Sequence, residues 1–438
     1  MLVSFKVSNF LSFNKVQTFS MVPSIDNDKG DLNYIKSVRL LKKGIILGAN
    51  SSGKSNLLRA IAVGASLVSG VSSIKYRNYF CKIEKENQNK ETVFEYSFYI
   101  NNNFYTYGFS INLSSGKFLS EYLYYHDLEI DQERIIFERI SEDNKIENLF
   151  TYILDLSSSI KKKLNKYIKV FQNTSDVLFI TKFNLDKEIK IFEFNNVFNF
   201  FKNKIRLYFQ NLEYKIYDLS FIDNQIEVSE LLNYFDTGIS DIIWEETNLN
   251  LLEDKDKNSY AELINYIESR KEEGKFSFSI RIKQELFCIY FDEGNIKVLK
   301  ILLKHLNAEL AFEFFEESDG IRRLFDLFDI LLVPRKDSIY LFDELSRSLH
   351  PLLIIKFLDT FSKKLKDFPI QLVYTTHEAN ILKEDILRKD EIWFVQKDKD
   401  NASKLYSLDL FKLTSKKLID SYLDGNYGAI PIFSRDEK

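Results

Sequence analysis

Gly48-Ala49-Asn50-Ser51-Ser52-Gly53-Lys54-Ser55 reads G-x-x-x-x-G-K-S and follows the apolar run Gly44-Ile45-Ile46-Leu47 directly. Glycines let successive backbone N–H groups turn inward around phosphate oxygens, a lysine reaches the terminal phosphates, and the hydroxyl after it ligates Mg2+. The following Leu57-Leu58-Arg59-Ala60-Ile61 has helical texture, so the loop joins a strand to a helix whose positive end faces the same anion. The stretch predicts a bound nucleoside triphosphate, with Asn50, Ser51, Gly53, Lys54, Ser55 and Asn56 as its contacts and Ser55 also as a metal ligand. A Gly/Ser turn that merely caps a helix is the bland alternative, and the strand before and helix after weigh against it.

Working outward, 438 residues with 45% hydrophobic content suffice for a large core and two or three domains. A net charge of −4 and a pI near 5.8 give no global field toward nucleic acid, so such a contact would need a local patch. Cys81 and Cys288 are far apart, without C-x-x-C spacing or a histidine cluster, and read as buried free thiols. Met1 leads at once into the alternating Leu2-Val3-Ser4-Phe5-Lys6-Val7, and no uncharged stretch of about twenty residues occurs. The expectation is a cytoplasmic protein with no membrane segment.

Alternation in Val3-Phe5-Val7 and Val16-Thr18-Ser20 predicts strands. Residues 93–100 and 104–109 predict a hairpin turning through Asn101-Asn102-Asn103. The period then becomes helical, with Ile160, Leu164, Tyr167 and Phe171 on one stripe and Phe194, Val197, Phe198, Phe201 and Ile205 on another. Beside the first stripe, Lys161-Lys162-Lys163 reads as a solvated face, with a phosphate contact as the sharper alternative. Strand texture resumes near 276, then alternates with helix. The expected division is residues 1–130 as a first lobe with the phosphate loop, 131–275 as a mainly helical insertion, and 276–438 as a second lobe.

Ser338-Ile339-Tyr340-Leu341-Phe342-Asp343-Glu344 is an apolar run ending in two carboxylates, the pattern of a buried parallel strand that delivers acids to a phosphate site. Asp343 then holds Mg2+, and Glu344 polarises the water attacking the terminal phosphorus. Alone, the run would be a strand leaving the core; the phosphate loop changes the reading. A second run, Ile370-Gln371-Leu372-Val373-Tyr374, ends in Thr375-Thr376-His377, placing His377 to sense that phosphate. Glu317-Ser318-Asp319-Gly320 precedes a helical stretch, so Ser318 and Asp319 are either helix caps or, with the free amides, phosphate contacts.

Taken in order, the phosphate loop, Ser-Asp-Gly, Asp-Glu, Ser348-Leu349-His350-Pro351 and Thr-Thr-His resemble the ABC-type ATPase heads related to Rad50, SMC and OLD proteins. Val7-Ser8-Asn9-Phe10-Leu11-Ser12-Phe13, Asp390-Glu391-Ile392-Trp393-Phe394-Val395 and Gly425-Asn426-Tyr427-Gly428-Ala429-Ile430-Pro431 resemble, more narrowly, the RloA-like ATPases of bacterial anti-phage abortive-infection systems, relatives of PARIS and Septu subunits. The resemblance implies an α/β ABC-type P-loop head, a mixed sheet with an antiparallel lobe, carrying a helical insertion. It implies ATP and Mg2+ as cofactors, Glu344 as catalytic base, His377 as switch histidine, and Asp343 with Ser55 at the metal. Ser318, Asp319 and Gly320 stand where a signature motif reaches a partner's nucleotide across a homodimer or higher assembly, and Ser348 to Pro351 stand in the D-loop. Leu11 departs from relatives that carry arginine there, and no glutamine matches the Q-loop.

The leading expectation is an ATP-driven sensor that controls a separate effector, a nuclease or toxin, because the roughly sixty residues after His377 are too few for an OLD-type nuclease module. The runner-up is a Rad50- or SMC-like DNA-repair or chromosome-organising ATPase, which needs long coiled coils that the pattern between Ser55 and Ser318 lacks. A transporter ATPase needs a membrane partner and a signature that Ser318-Asp319-Gly320 matches only in part.

Overall fold

Lys43-Gly44-Ile45-Ile46-Leu47 is buried at every position, as a strand covered on both faces must be. In the computed structural model, which describes residues 1–24, 34–35, 38–127, 132–142, 145–147, 157–171, 174–186, 189–209, 214–255, 257–382, 386–412 and 417–431, it lies inside a six-stranded sheet. The order is Ile205–Tyr208, Ile339–Phe342, Gln371–Thr375, Lys43–Leu47, Ile392–Lys397, Ser403–Ser407. Ile339–Phe342 pairs in parallel with Gln371–Thr375, that strand with Lys43–Leu47, and Lys43–Leu47 with Ile392–Lys397; Ser403–Ser407 returns antiparallel.

A second sheet of seven antiparallel strands runs Lys145–Glu147, Gln132–Glu142, Lys117–Asp127, Asn103–Asn112, Thr92–Ile100, Leu2–Ser8, Gln17–Ser20. Here the expected hairpin is found: Ile100 pairs with Asn103, and Asn101 and Asn102 both take positive φ, 49° and 65°. That is the twist a two-residue turn needs, and asparagine tolerates it. The mixed sheet with an antiparallel lobe is therefore as the sequence led us to expect. Gln371 ties the sheets together: its Oε1 accepts from Leu2 N at 2.6 Å, and its Nε2 donates to Leu2 O at 2.9 Å and Leu41 O at 3.1 Å.

The described chain forms two compact units, one of Met1–Leu207, Lys336–Glu344 and Lys366–Lys438, the other of Tyr208–Arg335 and Leu345–Leu365. Helices Ser158–Phe171, Phe179–Asp186 and Phe192–Asn199 belong to the first. Their cores contain Leu164, Phe171, Phe194, Val197 and Phe198 of the expected stripes, while Lys161, Lys162 and Lys163 are exposed. The second unit is built on an antiparallel sheet of Tyr214–Tyr217, Lys275–Ile282, Glu285–Asp292, Asn295–His305 and Ile239–Thr247, with helices Asp319–Leu332 and Pro351–Lys364. Among the described residues no helix is long and apolar enough to cross a membrane.

Helix Lys54–Val68 lies on the antiparallel sheet at Gly64, where an added Cβ would strike the Tyr96 hydroxyl and come within 3.0 Å of its Cζ. Gly to Ala inside a helix ordinarily stabilises by about 1 kcal/mol; overpacking a core costs about 1–3 kcal/mol. We expect Gly64→Ala to lower the urea midpoint and Tyr96→Phe to restore part of it in the double variant. Gly64→Ala alone raising the midpoint would refute the packing argument.

Candidate functional site

Three neighbouring parallel strands end together. In register, Phe342 stands beside Tyr374 and Thr375 beside Ile46, so Asp343-Glu344, Thr376-His377 and the Gly48 loop leave the same edge of the sheet. Ligands of open α/β sheets bind at the carboxyl ends of strands. The loop's geometry explains its composition. Gly53 has φ 113°, and an added Cβ there would lie 2.7 Å from Ser12 Oγ and also press on Ser403 Oγ. Gly48 is closed in by the Val395 carbonyl from the adjoining strand. The Ser403 hydroxyl donates to Ser52 O and lies 2.7 Å from Ser12 Oγ, and Asn56 Nδ2 donates to Ser12 Oγ at 2.8 Å. Ser51 takes φ 60°, and Asn50 and Ser51 are accessible within the loop.

Ser55 Oγ donates to Asp343 Oδ1 at 2.8 Å, so helix and acidic strand meet directly. Thr375 Oγ1 donates to the same Oδ1 at 2.7 Å and accepts from Glu344 N at 2.7 Å. This threonine fixes both acids. Glu344 needs fixing, because it holds φ 48°, a left-handed conformation that a residue with a Cβ adopts at some cost. Hydroxyl and carboxylate oxygens side by side are the hard donor set that Mg2+ prefers when phosphates supply the remaining ligands. Ser55 and Asp343 therefore fit that ion.

Lys54 Nζ donates to Gly48 O at 2.8 Å and Ala49 O at 2.9 Å, and lies 3.2 Å from His377 Nδ1. It is 5% exposed. Burial lowers its pKa from 10.5 to about 8, against the pull of Glu344 and Asp343. His377 is pushed down by burial and then by the Lys54 charge, which keeps its ring neutral near pH 7 with Nδ1 free to accept from the ammonium. Its Nε2 is 3.8 Å from Glu344 Oε1, too long for a direct hydrogen bond. The arrangement brings an ammonium, a hydroxyl, two carboxylates and an imidazole around one strand edge, the groups that bind a triphosphate and activate water beside it.

Ser318, Asp319 and Gly320 belong to the second compact unit, as do Ser348 to Pro351. Ser318 caps helix Asp319–Leu332, its Oγ accepting from Ile321 N at 3.2 Å. Asp319 pairs with Arg322. Gly320 has the Ser348 carbonyl 2.6 Å from where a Cβ would be, so this loop and helix approach as closely as only glycine permits. His350 caps the next helix, its Nδ1 accepting from Leu352 N at 3.2 Å. Sequence reasoning missed the part of Thr375, although its hydroxyl stood in the quoted Thr-Thr-His, and it missed Ser12 and Ser403, which no local pattern marks.

The chain belongs to the family described as AAA domain, putative AbiEii toxin, Type IV TA system, which matches residues 45–383. No curated protein matches it. Among solved structures it is similar to the SMC head bound to the C-winged helix domain of ScpA, at 14% identity and a TM-score of 0.40, covering 93% of this chain and 97% of that one. It is also similar to the SMC head domain from Thermotoga maritima, at 12% identity and a TM-score of 0.37, covering 94% and 99%.

The buried ammonium has a pH signature. Because the folded pKa of Lys54 is lowered, the native chain sheds a proton near pH 8 while the unfolded chain keeps it to 10.5. Stability then rises with pH across that window. At about 1.4 kcal/mol per unit of pKa the gain is at most about 3.5 kcal/mol. Lys54→Met has no such proton, so the unaltered chain should gain urea midpoint relative to it between pH 8 and about 10. Parallel profiles would mean that Lys54 stays solvated.

Proposed function

We propose that this AAA-family chain is an ATP-hydrolysing switch subunit of a bacterial anti-phage system, closing head to head on ATP with a second copy and controlling a separate nuclease or toxin. One observation carries the enzymatic part: the 2.8 Å contact of Ser55 Oγ with Asp343 Oδ1, with Lys54, Glu344 and His377 at the same strand ends. Lys54 binds the terminal phosphates by exchanging the Gly48 and Ala49 carbonyls for phosphate oxygens. Ser55 and Asp343 hold Mg2+, which when bound offsets phosphate charge. Glu344 accepts the proton of the attacking water, and His377, neutral and already beside Lys54, registers the terminal phosphate. Asn50, Ser51, Gly53 and Asn56 shape the phosphate turn.

The family description names a putative toxin of a toxin–antitoxin system, which favours the defence reading. The DNA-repair alternative calls for long coiled-coil arms. Between the phosphate loop and Ser318, described helices reach 15 residues at most, about one seventh of a supercoil turn of typical pitch. Ser318, Asp319 and Gly320, on the second unit, are the surface offered to the partner copy's nucleotide. A cytoplasmic location suits both an ATP supply and a phage trigger.

Glu344→Gln should bind ATP, elute as a dimer in its presence, and turn over at least about a hundredfold more slowly; unchanged phosphate release would remove the proposed base. Lys54→Ala should lose nucleotide binding by calorimetry, and retained affinity would overturn the loop assignment.

A further inference from the structure

Helix Ser158–Phe171 carries lysine at positions 161, 162, 163, 166 and 169 and no aspartate or glutamate, in a chain with 64 acidic residues and a net charge of −4. At 3.6 residues per turn, Leu164, Ile168 and Phe171 fall within an arc of about 60°, and all three are buried. Opposite them the five lysines, with Ser158, Ser159 and Asn165, fill an arc of about 200°, and every one of these is exposed. The two sides do not mix. The helix is also firmly seated. Phe171 meets Phe179 at 5.3 Å between ring centroids, Tyr167 meets Phe183 at 5.5 Å, and the Arg139 guanidinium lies 4.7 Å from the Phe171 ring. Tyr167 OH donates to Asp186 Oδ2 at 2.8 Å, and Lys182 pairs with the same carboxylate at 2.9 Å. Among the described residues, none of the five ammonium groups has an ion pair or a hydrogen bond.

The composition of this face separates the partners that positive charge attracts. A helix that lies on a membrane buries its apolar side in lipid, but here that side is already packed against the protein. A protein interface centres on aromatic or arginine anchors and is depleted in lysine; the exposed arc has no such anchor. A single nucleic-acid strand needs aromatic platforms for its bases, and the arc has none of these either. What it offers is hydroxyl, amide and ammonium donors with no acid among them, the set that contacts a phosphodiester backbone. Lys161 and Lys163 stand about 200° apart around the axis, so they face two separate rows of phosphates. The major groove of B-form DNA, about 12 Å wide, sets two backbones on either side of a helix about 10–12 Å across. The deep, narrow major groove of duplex RNA does not admit one.

We propose that the lysine face of helix Ser158–Phe171 is a docking surface for duplex DNA, held by the phosphates on both sides of the major groove without regard to sequence. Lys161 and Lys163 take opposite backbones, and Lys162, Lys166 and Lys169 continue the contact along the helix axis, about 12 Å from first lysine to last. The inference goes beyond the ATPase reading and does not depend on it.

The experiment uses the full-length chain without nucleotide, so its failure leaves the ATPase reading standing. Fluorescence anisotropy follows a two-turn DNA duplex of arbitrary sequence across a salt series. Log affinity should fall against log salt with a slope near −4.5, about 0.9 for each lysine engaged. Lys162→Gln/Lys166→Gln/Lys169→Gln alters exposed positions at little cost in helix propensity; it should reduce the magnitude of that slope by about 2.7 and keep its urea midpoint. Each single substitution should reduce it by about 0.9, which preserves the test if the triple variant unfolds. Arginine at the same three positions should retain the slope, because the charge is retained. No binding by the unaltered chain, or an unchanged slope in the glutamine variants, overturns the assignment. Equal binding of duplex RNA overturns it as well, since charge would then act without the groove. Phosphatidylserine vesicles bound more tightly than the duplex, and lost in the triple variant, would give the face to lipid and overturn it too.

Discussion

Register between three parallel strands is the constraint on which the site depends. Lys43–Leu47 lies hundreds of residues along the chain from Ile339–Phe342 and Gln371–Thr375, yet the three ends coincide to a residue. The pairing even runs past the strand, Thr376 N donating to Ile46 O at 3.1 Å. A slip of one position would turn every side chain to the other face, and Asp343 would leave Ser55. Burial of all five residues in each of Lys43–Leu47 and Gln371–Thr375 is what forbids the slip. Apolar cover thus sets the geometry of the candidate site.

Such a platform carries charge at a cost. Lys43, fully buried, donates to Ile386 O at 2.7 Å and lies 3.9 Å from Glu391, whose carboxyl burial pushes up to about 7. Removing one member of a buried pair costs more than the pair contributes, so these groups enforce one arrangement more than they stabilise it. Lys54 differs in kind. Its partners are the loop's own carbonyls and the His377 ring, so this lysine's hydrogen bonds close the loop on itself.

The loop, the acidic strand end, the histidine and the Asn101-Asn102 turn were legible because each is a local pattern with a physical reason: positive φ, period, or apolar run. That Asp343 meets Ser55 was legible only by combining two such patterns. Thr375 was not legible, since a hydroxyl that clamps two acids looks the same in sequence as one that caps a strand. Ser12 and Ser403 were hidden for another reason, being 391 positions apart and joined only by folding. The two units were harder still. The chain leaves the first at Leu207, re-enters for Lys336–Glu344 and returns at Lys366, so no boundary coincides with a single linker. Buried Lys215 beneath Asp326 likewise carries no signal, because its partner lies 111 residues away.

The crossing at Glu344 shows how chain path and chemistry join. One segment of the first unit ends at Glu344 and the second unit resumes at Leu345, so the chain passes from the residue proposed as base into the segment that carries Ser348. Its left-handed backbone costs about 1–2 kcal/mol. A hydrogen bond from Glu344 N to Thr375 Oγ1 contributes about 1 kcal/mol against it. A glycine at 344 would remove the strain, but with it the carboxylate that the strand end presents.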